Sequence, residues 1–303
     1  MFDAMDKEAK ILLDACQASI PASPFHLAAL ARQIGTPNAD INELAKLILQ
    51  DFGLTFYYLK WANSAFFSSG VHEPPISMAK IIMMLGLDNI SAALKDVPTL
   101  SGEQLAASDP YKRCQMVALA KATLAGRIAG KISEAKGSSF ELSSLLAMCL
   151  SLGECITALA FPRVAILLDS MKDDKERNKM ARRFLFYTPE GLGLRVASRW
   201  NLPEAVVQLL NDGSGLDWSK DVHKDLASCV AYGVNKFLCA AKFPTQTSKR
   251  QKEALFFLEK RLQFSFSALI SLVSSGVADL KGDNPAFYQV LYDQGLLKRL
   301  PIY

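Results

Sequence analysis

Three observations predict an all-α protein. Apolar residues recur at helical spacing along nearly the whole chain, strand-like alternation is almost absent, and Pro, Gly, Ser and Asp punctuate the runs. With 303 residues, 50% of them hydrophobic, the chain can bury a substantial core.

The elements follow in order. Ile11, Leu12 and Leu13 belong to a first helix, after which Ile20 to Pro24 is a break. Ser23 is placed to cap a second helix with Pro24 in its first turn, which carries Phe25, Leu27, Leu30 and Ile34 and stops near Gly35. Asp40 caps the next, and Glu43 three residues on resembles a capping box. Asp51 caps a helix with Leu54, Tyr58, Leu59 and Ala62 inward, and Asn63-Ser64 falls where that helix is expected to end. Past Pro74-Pro75, Ser77 caps Met78 to Met84 and Gly86 stops it. A less regular stretch from about Lys95 to Pro110 reads as the seam between two helical lobes. Beyond it come a long helix from Tyr111 to Lys136, a buried one from Leu142 to Leu152, helical runs over Arg163 to Phe186 and two helices divided by Asn201-Leu202-Pro203. The run Asp221 to Ala241 follows. A break at Phe243-Pro244-Thr245 opens a C-terminal portion with two or three more helices, either packed on the second lobe or forming a dimer surface.

Charge excludes little by itself. Lysine and arginine number 34 against 30 acidic residues, a formal +4, so no nucleic-acid partner is expected. The six cysteines sit in apolar surroundings at spacings that fit neither a CxxC metal site nor a disulfide framework. No basic leader and no long apolar run appears, so no membrane contact is expected and the localisation is read as cytoplasmic. Gly191-Leu192-Gly193 lies inside a helical pattern rather than after a strand, which argues against a phosphate loop.

The spacing of Ile20-Pro21, Asp51, Leu54, Leu59, Asn63-Ser64-Ala65, Ile76, Ala79, Leu85 and Gly86 resembles the HDOD family, relatives of the HD-type metal-dependent phosphohydrolases. The likeness resumes at Tyr111 to Ala118, Leu145 to Gly153 and Glu190 to Pro203, and covers about residues 14 to 240. It implies a bacterial source and a two-lobed, multi-helical HD-like fold. The HDOD domain would span 1–240, with lobes at about 1–100 and 108–240, and 241–303 would be a helical extension.

HD hydrolysis needs a His, a His-Asp pair and a distal Asp converging on a metal. The resemblance puts these positions at Arg113, Leu150, Ser151 and Asn235. A guanidinium, an isobutyl group, a hydroxyl and a carboxamide cannot replace imidazole and carboxylate ligands. None of the three histidines, His26, His72 and His223, is placed to substitute. The expectation is a signalling module without catalytic residues or cofactor, acting through contact with a signalling protein. A cleft between Asn63-Ser64 and the floor formed by Arg113, Ser151 and Asn235 would take a partner segment, a nucleotide or another anionic ligand. Two alternatives stand beside it, a phosphohydrolase or phosphodiesterase with unlocated ligands and a nucleotide sensor without turnover.

Overall fold

The computed structural model describes residues 20–69, 75–171, 173–213, 225–241 and 247–301. The helix expected at Ile11 to Leu13, His72, Pro74, His223 and the break at Phe243 to Thr245 lie outside these residues. Seventeen α-helices make up most of what is described, and one isolated parallel bridge, Ala22 to Thr99, is the only β pairing among the described residues.

The first five helices are α1 (Pro24–Ile34), α2 (Ile41–Ile48), α3 (Phe52–Ser69), α4 (Met78–Leu85) and α5 (Leu87–Ala93), followed by the four-residue α6 (Gly102–Leu105). Asp51 caps α3 as expected: its Oδ1 accepts from the Leu54 amide at 2.9 Å, while Oδ2 accepts from the Ser23 amide at 3.0 Å. That second bond ties α3 to the turn before α1. Ser23 does stand at the N-cap of α1, but its hydroxyl makes no capping bond. Asp40 caps α2 through the Asn42 amide, without the reciprocal Glu43 bond of a capping box. Helix α3 runs on to Ser69, so Asn63 and Ser64 lie within it rather than at its end. The packing around Phe52, Phe56 and Tyr58, all buried, carries the helix past the polar pair. In the stretch expected to be irregular, the Ala22 amide donates to Pro98 O at 2.7 Å and Leu100 N donates to Ala22 O at 2.9 Å. The turn before α1 is thereby fastened to the seam.

Helix α7 (Pro110–Glu134) is the axis of the molecule. Asp109 caps it through the amides of Tyr111 and Lys112, and nearly every residue from Leu119 to Ser133 is buried. Around it pack α8 (Phe140–Leu150), α9 (Leu152–Ala160), α10 (Pro162–Ser170) and α14 (Leu226–Ala240). Beyond them lie α11 (Asp174–Leu185), α12 (Pro189–Arg199) and α13 (Glu204–Gly213). Gly153 lets α9 and α12 meet backbone to backbone, for a Cβ there would fall 1.6 Å from Pro189 O. The N-terminal helices join this group through the Phe52 amide, which donates to Thr123 Oγ1 at 3.3 Å, and through Phe56, whose ring lies 6.1 Å from Trp200.

The C-terminal helices α15 (Thr247–Leu262), α16 (Phe266–Asp283) and α17 (Pro285–Asp293) pack back on the rest. Leu255, Leu258, Leu262, Leu269, Val273, Leu280 and Phe287 are buried there, whereas Phe256 and Phe266 are exposed. Two ion pairs join α16 to α7, Arg127 to Asp283 at 2.8 Å and Lys131 to Asp279 at 2.7 Å. One apolar cluster runs continuously from Ile20 to Leu300.

Candidate functional site

Helices α7, α8, α9, α11, α12 and α14 bring one polar network into the apolar interior. Ser151 sits at the joint of α8 and α9, fully buried, and its hydroxyl accepts from Asn235 Nδ2 at 3.2 Å. The same amide nitrogen donates to Ala147 O at 2.9 Å, so the carboxamide of α14 is held against the end of α8. One turn further along α14, Cys239 donates to Asn235 Oδ1 at 3.6 Å and receives Lys121 Nζ at 3.9 Å.

Lys121 then pairs with Glu154 on α9. The other carboxylate oxygen of Glu154 accepts from Arg177 Nη2 at 2.9 Å, and Arg177 Nη1 lies 3.9 Å from Glu190. The side chains of Lys121, Glu154 and Arg177 are 3%, 16% and 12% exposed, so solvent screens these pairs little. Burial alone would lower the Arg177 pKa, but the negative charges of Glu154, Glu190 and Asp169 more than reverse it and leave the guanidinium more firmly protonated than usual. Burial pushes the neighbouring Cys149 thiol well above its ordinary range, which keeps it un-ionised.

Two small cavities flank the network. One of about 30 Å³ lies on the α7, α10 and α11 side, with Cys114, Lys121, Asp169 and Arg177 on its wall. The other, about 60 Å³, is bounded by Leu150, Tyr232, Asn235, Lys236 and Cys239. Glu154 and Pro189 border both.

Of the residues singled out in the sequence, Ser151 and Asn235 touch and Leu150 lies beside them. Arg113 is exposed on the first turn of α7, two turns before Lys121, and borders neither cavity. Asn63 is buried in α3, its carboxamide without a hydrogen-bond partner, and Ser64 is exposed beside it; neither reaches the two cavities. Lys121, Glu154, Arg177 and Cys239 were not singled out by spacing alone. A signal for two of them was there: Glu154 is the sole charged residue between Leu142 and Pro162, and Lys121 stands alone in the run Cys114 to Gly126.

The donor set does not suit the divalent cation that HD-type chemistry uses. Leu150 has no donor atom, Asn235 Oδ1 already accepts from the Cys239 thiol, and both Glu154 oxygens meet cationic nitrogens. No group of three or more His, Cys, Asp or Glu side chains capable of holding a metal occurs among the described residues.

An all-α chain wound about one buried long helix, with a polar network where that helix meets its neighbours, is the class these observations define. Residues 20–213 match the HDOD domain, and the chain belongs to the HDOD family. An uncharacterized protein of Treponema pallidum (strain Nichols) is 28% identical over 219 residues, which is 70% of this chain and 41% of that protein. The chain thus matches about two fifths of the length of this curated relative. The crystal structure of the MmoQ response regulator from Methylococcus capsulatus aligns with a TM-score of 0.60 at 16% identity, covering 85% of this chain and 99% of that one. A virulence factor from Campylobacter jejuni aligns equally well, TM-score 0.60 at 17% identity, over 88% and 94%. These likenesses carry the fold. No single helix among the described residues is long and apolar enough to cross a membrane.

Proposed function

We propose that this chain is a bacterial, cytoplasmic signalling module of the HDOD type whose HD site is degenerate and which acts by contact with a partner protein. The observation that carries the reading is Glu154, held between the Lys121 ammonium and the Arg177 guanidinium on the wall of the cavity that Leu150 and Asn235 also line. A carboxylate already neutralised on both oxygens by buried cations has little charge left for a hydrolytic metal, which would also have to sit against two positive neighbours. The module is proposed to span about residues 1–240, with 241–303 as an extension packed against it. The name of one structural neighbour, a response regulator, agrees with a signalling role. The size of the cavities weighs against a nucleotide sensor, since 30 and 60 Å³ fall far below the roughly 300 Å³ at which small-molecule pockets begin.

Metal analysis of the purified protein tests the proposal, followed by incubation with manganese, a chromogenic phosphodiester and cyclic dinucleotides. The expected outcome is substoichiometric metal and no turnover. One equivalent of tightly held metal, with turnover that Glu154→Gln abolishes, would overturn the scaffold reading in favour of a phosphohydrolase.

A further inference from the structure

Among the described residues, most surface cations are engaged. Lys46 meets Glu134, Lys112 meets Glu103 and Lys131 meets Asp279, while Lys60, Lys136 and Lys298 lie over aromatic rings. Helix α11 is different. Lys175, Lys179, Arg182 and Arg183 are all exposed, and none makes a side-chain hydrogen bond, ion pair or ring contact among the described residues. Their i, i+4, i+7, i+8 spacing gathers them on one stripe of the helix. The opposite face buries Ala181 and Leu185 and sends Arg177 into the Glu154 network.

We infer that the outer stripe of α11 is a docking surface for a short acidic segment of a partner protein. Four like charges within a nine-residue stretch repel one another, and an opposing row of carboxylates relieves that repulsion and fixes register. Length and polarity select the kind of anion. The stripe is about 12 Å long at 1.5 Å per residue; Asp173 and Asp174 stand exposed just before it, and Glu176 stands exposed between its first two members. A nucleic-acid backbone or an anionic bilayer extends along the whole helix and meets Asp173, Asp174 and Glu176, while a short acidic segment seated over Lys179, Arg182 and Arg183 stops before them. The net charge of +4 over 303 residues supplies no wider field to compensate. This inference rests on the partner-contact reading of the module and gives it a surface and a partner chemistry.

The test uses the full chain and a fluorescein-labelled, glutamate-rich peptide, titrated by fluorescence anisotropy at two salt concentrations. A single-stranded DNA oligomer of equal charge and phosphatidylglycerol vesicles serve as rival probes. Saturable peptide binding is expected, weakened by salt and about tenfold weaker in Lys179→Glu/Arg182→Glu. Lys281→Glu/Lys298→Glu, which makes the same charge change on α16 and the C-terminal tail, should leave it unaltered. Absence of peptide binding, equal weakening by both double variants, or tighter binding of DNA or vesicles than of peptide overturns the inference. Failure here with an inert, metal-free protein removes only the docking surface, whereas metal-dependent turnover removes the scaffold reading itself.

Discussion

Glu154 is the hinge of the interior network, because two cations from different helices converge on its two oxygens. Removing one partner of a buried pair leaves the other charge desolvated, which costs about 3–5 kcal/mol, far more than the pair adds over an apolar substitute. Glu154→Gln is therefore expected to lower unfolding stability by about 3 kcal/mol or more, read from denaturant midpoints at unchanged slope. Combining it with Lys121→Met should cost less than the sum of the two single changes, by about 1 kcal/mol or more; strict additivity would show that the pair is not coupled. Two buried thiols make a second prediction. Burial, helped by Asp225, raises the Cys229 thiol from 9.0 to about 11, and burial raises Cys149 in the same direction. The unfolded chain releases these protons first, so stability holds below pH 9 and falls as pH rises from 9 towards 11. Cys149→Ala/Cys229→Ala should flatten the fall in its lower half, before the raised Tyr232 phenol adds its own decline. Single residues were unevenly legible. The capping bond of Asp51 to Leu54 spans three residues and can be read locally, but its bond to Ser23 spans 28 and depends on the fold. Arg177 was hidden because it lies in a run of charges whose other members stay in water.

Among the elements, helix positions were the most legible part of the chain, since caps and prolines act over one turn. The starts at Pro24, Ile41, Phe52 and Met78 follow Ser23, Asp40, Asp51 and Ser77 as their spacing predicts. Less legible was where α3 ends, because burial of Phe52, Phe56 and Tyr58 and their contacts with α7 and α12 outweigh the local preference of Asn63 and Ser64. Of the positions that the resemblance implies, Ser151 and Asn235 meet because α8 and α14 pack side by side, whereas Arg113 lies too early on α7 to join them. Gly153 offers the cleanest test of how these elements are held. A methyl group there would sit 1.6 Å from Pro189 O, and the obstacle is backbone that no rotamer change can move. Gly153→Ala should cost about 3 kcal/mol, at the upper end of overpacking effects, and separate α9 from α12. Loss of the Arg177 to Glu190 contact, seen as a double-mutant coupling that vanishes in the alanine background, would accompany it.

The whole molecule depends on α7, which is enclosed by the N-terminal helices on one side, the HD-like helices around it and the C-terminal helices on the remaining face. Arg127 shows how closely the three parts are joined. It is 2% exposed, donates to Asp283 on α16 and to Gln50 O, and lies 2.8 Å from His26 Nε2 on α1. An arginine only donates, so His26 Nε2 is the acceptor there and the remaining ring proton sits on Nδ1, 3.4 Å from Asp51 Oδ2. Helix α16 adds apolar closure, with Gly276 set so tightly against α7 that a Cβ would meet Ile128 at 2.8 Å. Ending the chain at Ala241 would strip this cover from Ile128 and leave the Arg127 guanidinium without its carboxylate. Such a truncated protein is expected to lose cooperative unfolding, measured as a broad or absent thermal transition. The milder Asp279→Ala/Asp283→Ala should stay folded and lose about 2 kcal/mol, less than a fully buried pair because both carboxylates are about half exposed. A truncated chain that instead unfolds cooperatively and changes its oligomeric state would assign α15 to α17 to an interface between copies rather than to the core. The continuity of the apolar cluster from Ile20 through Ile128 to Leu300 favours the core.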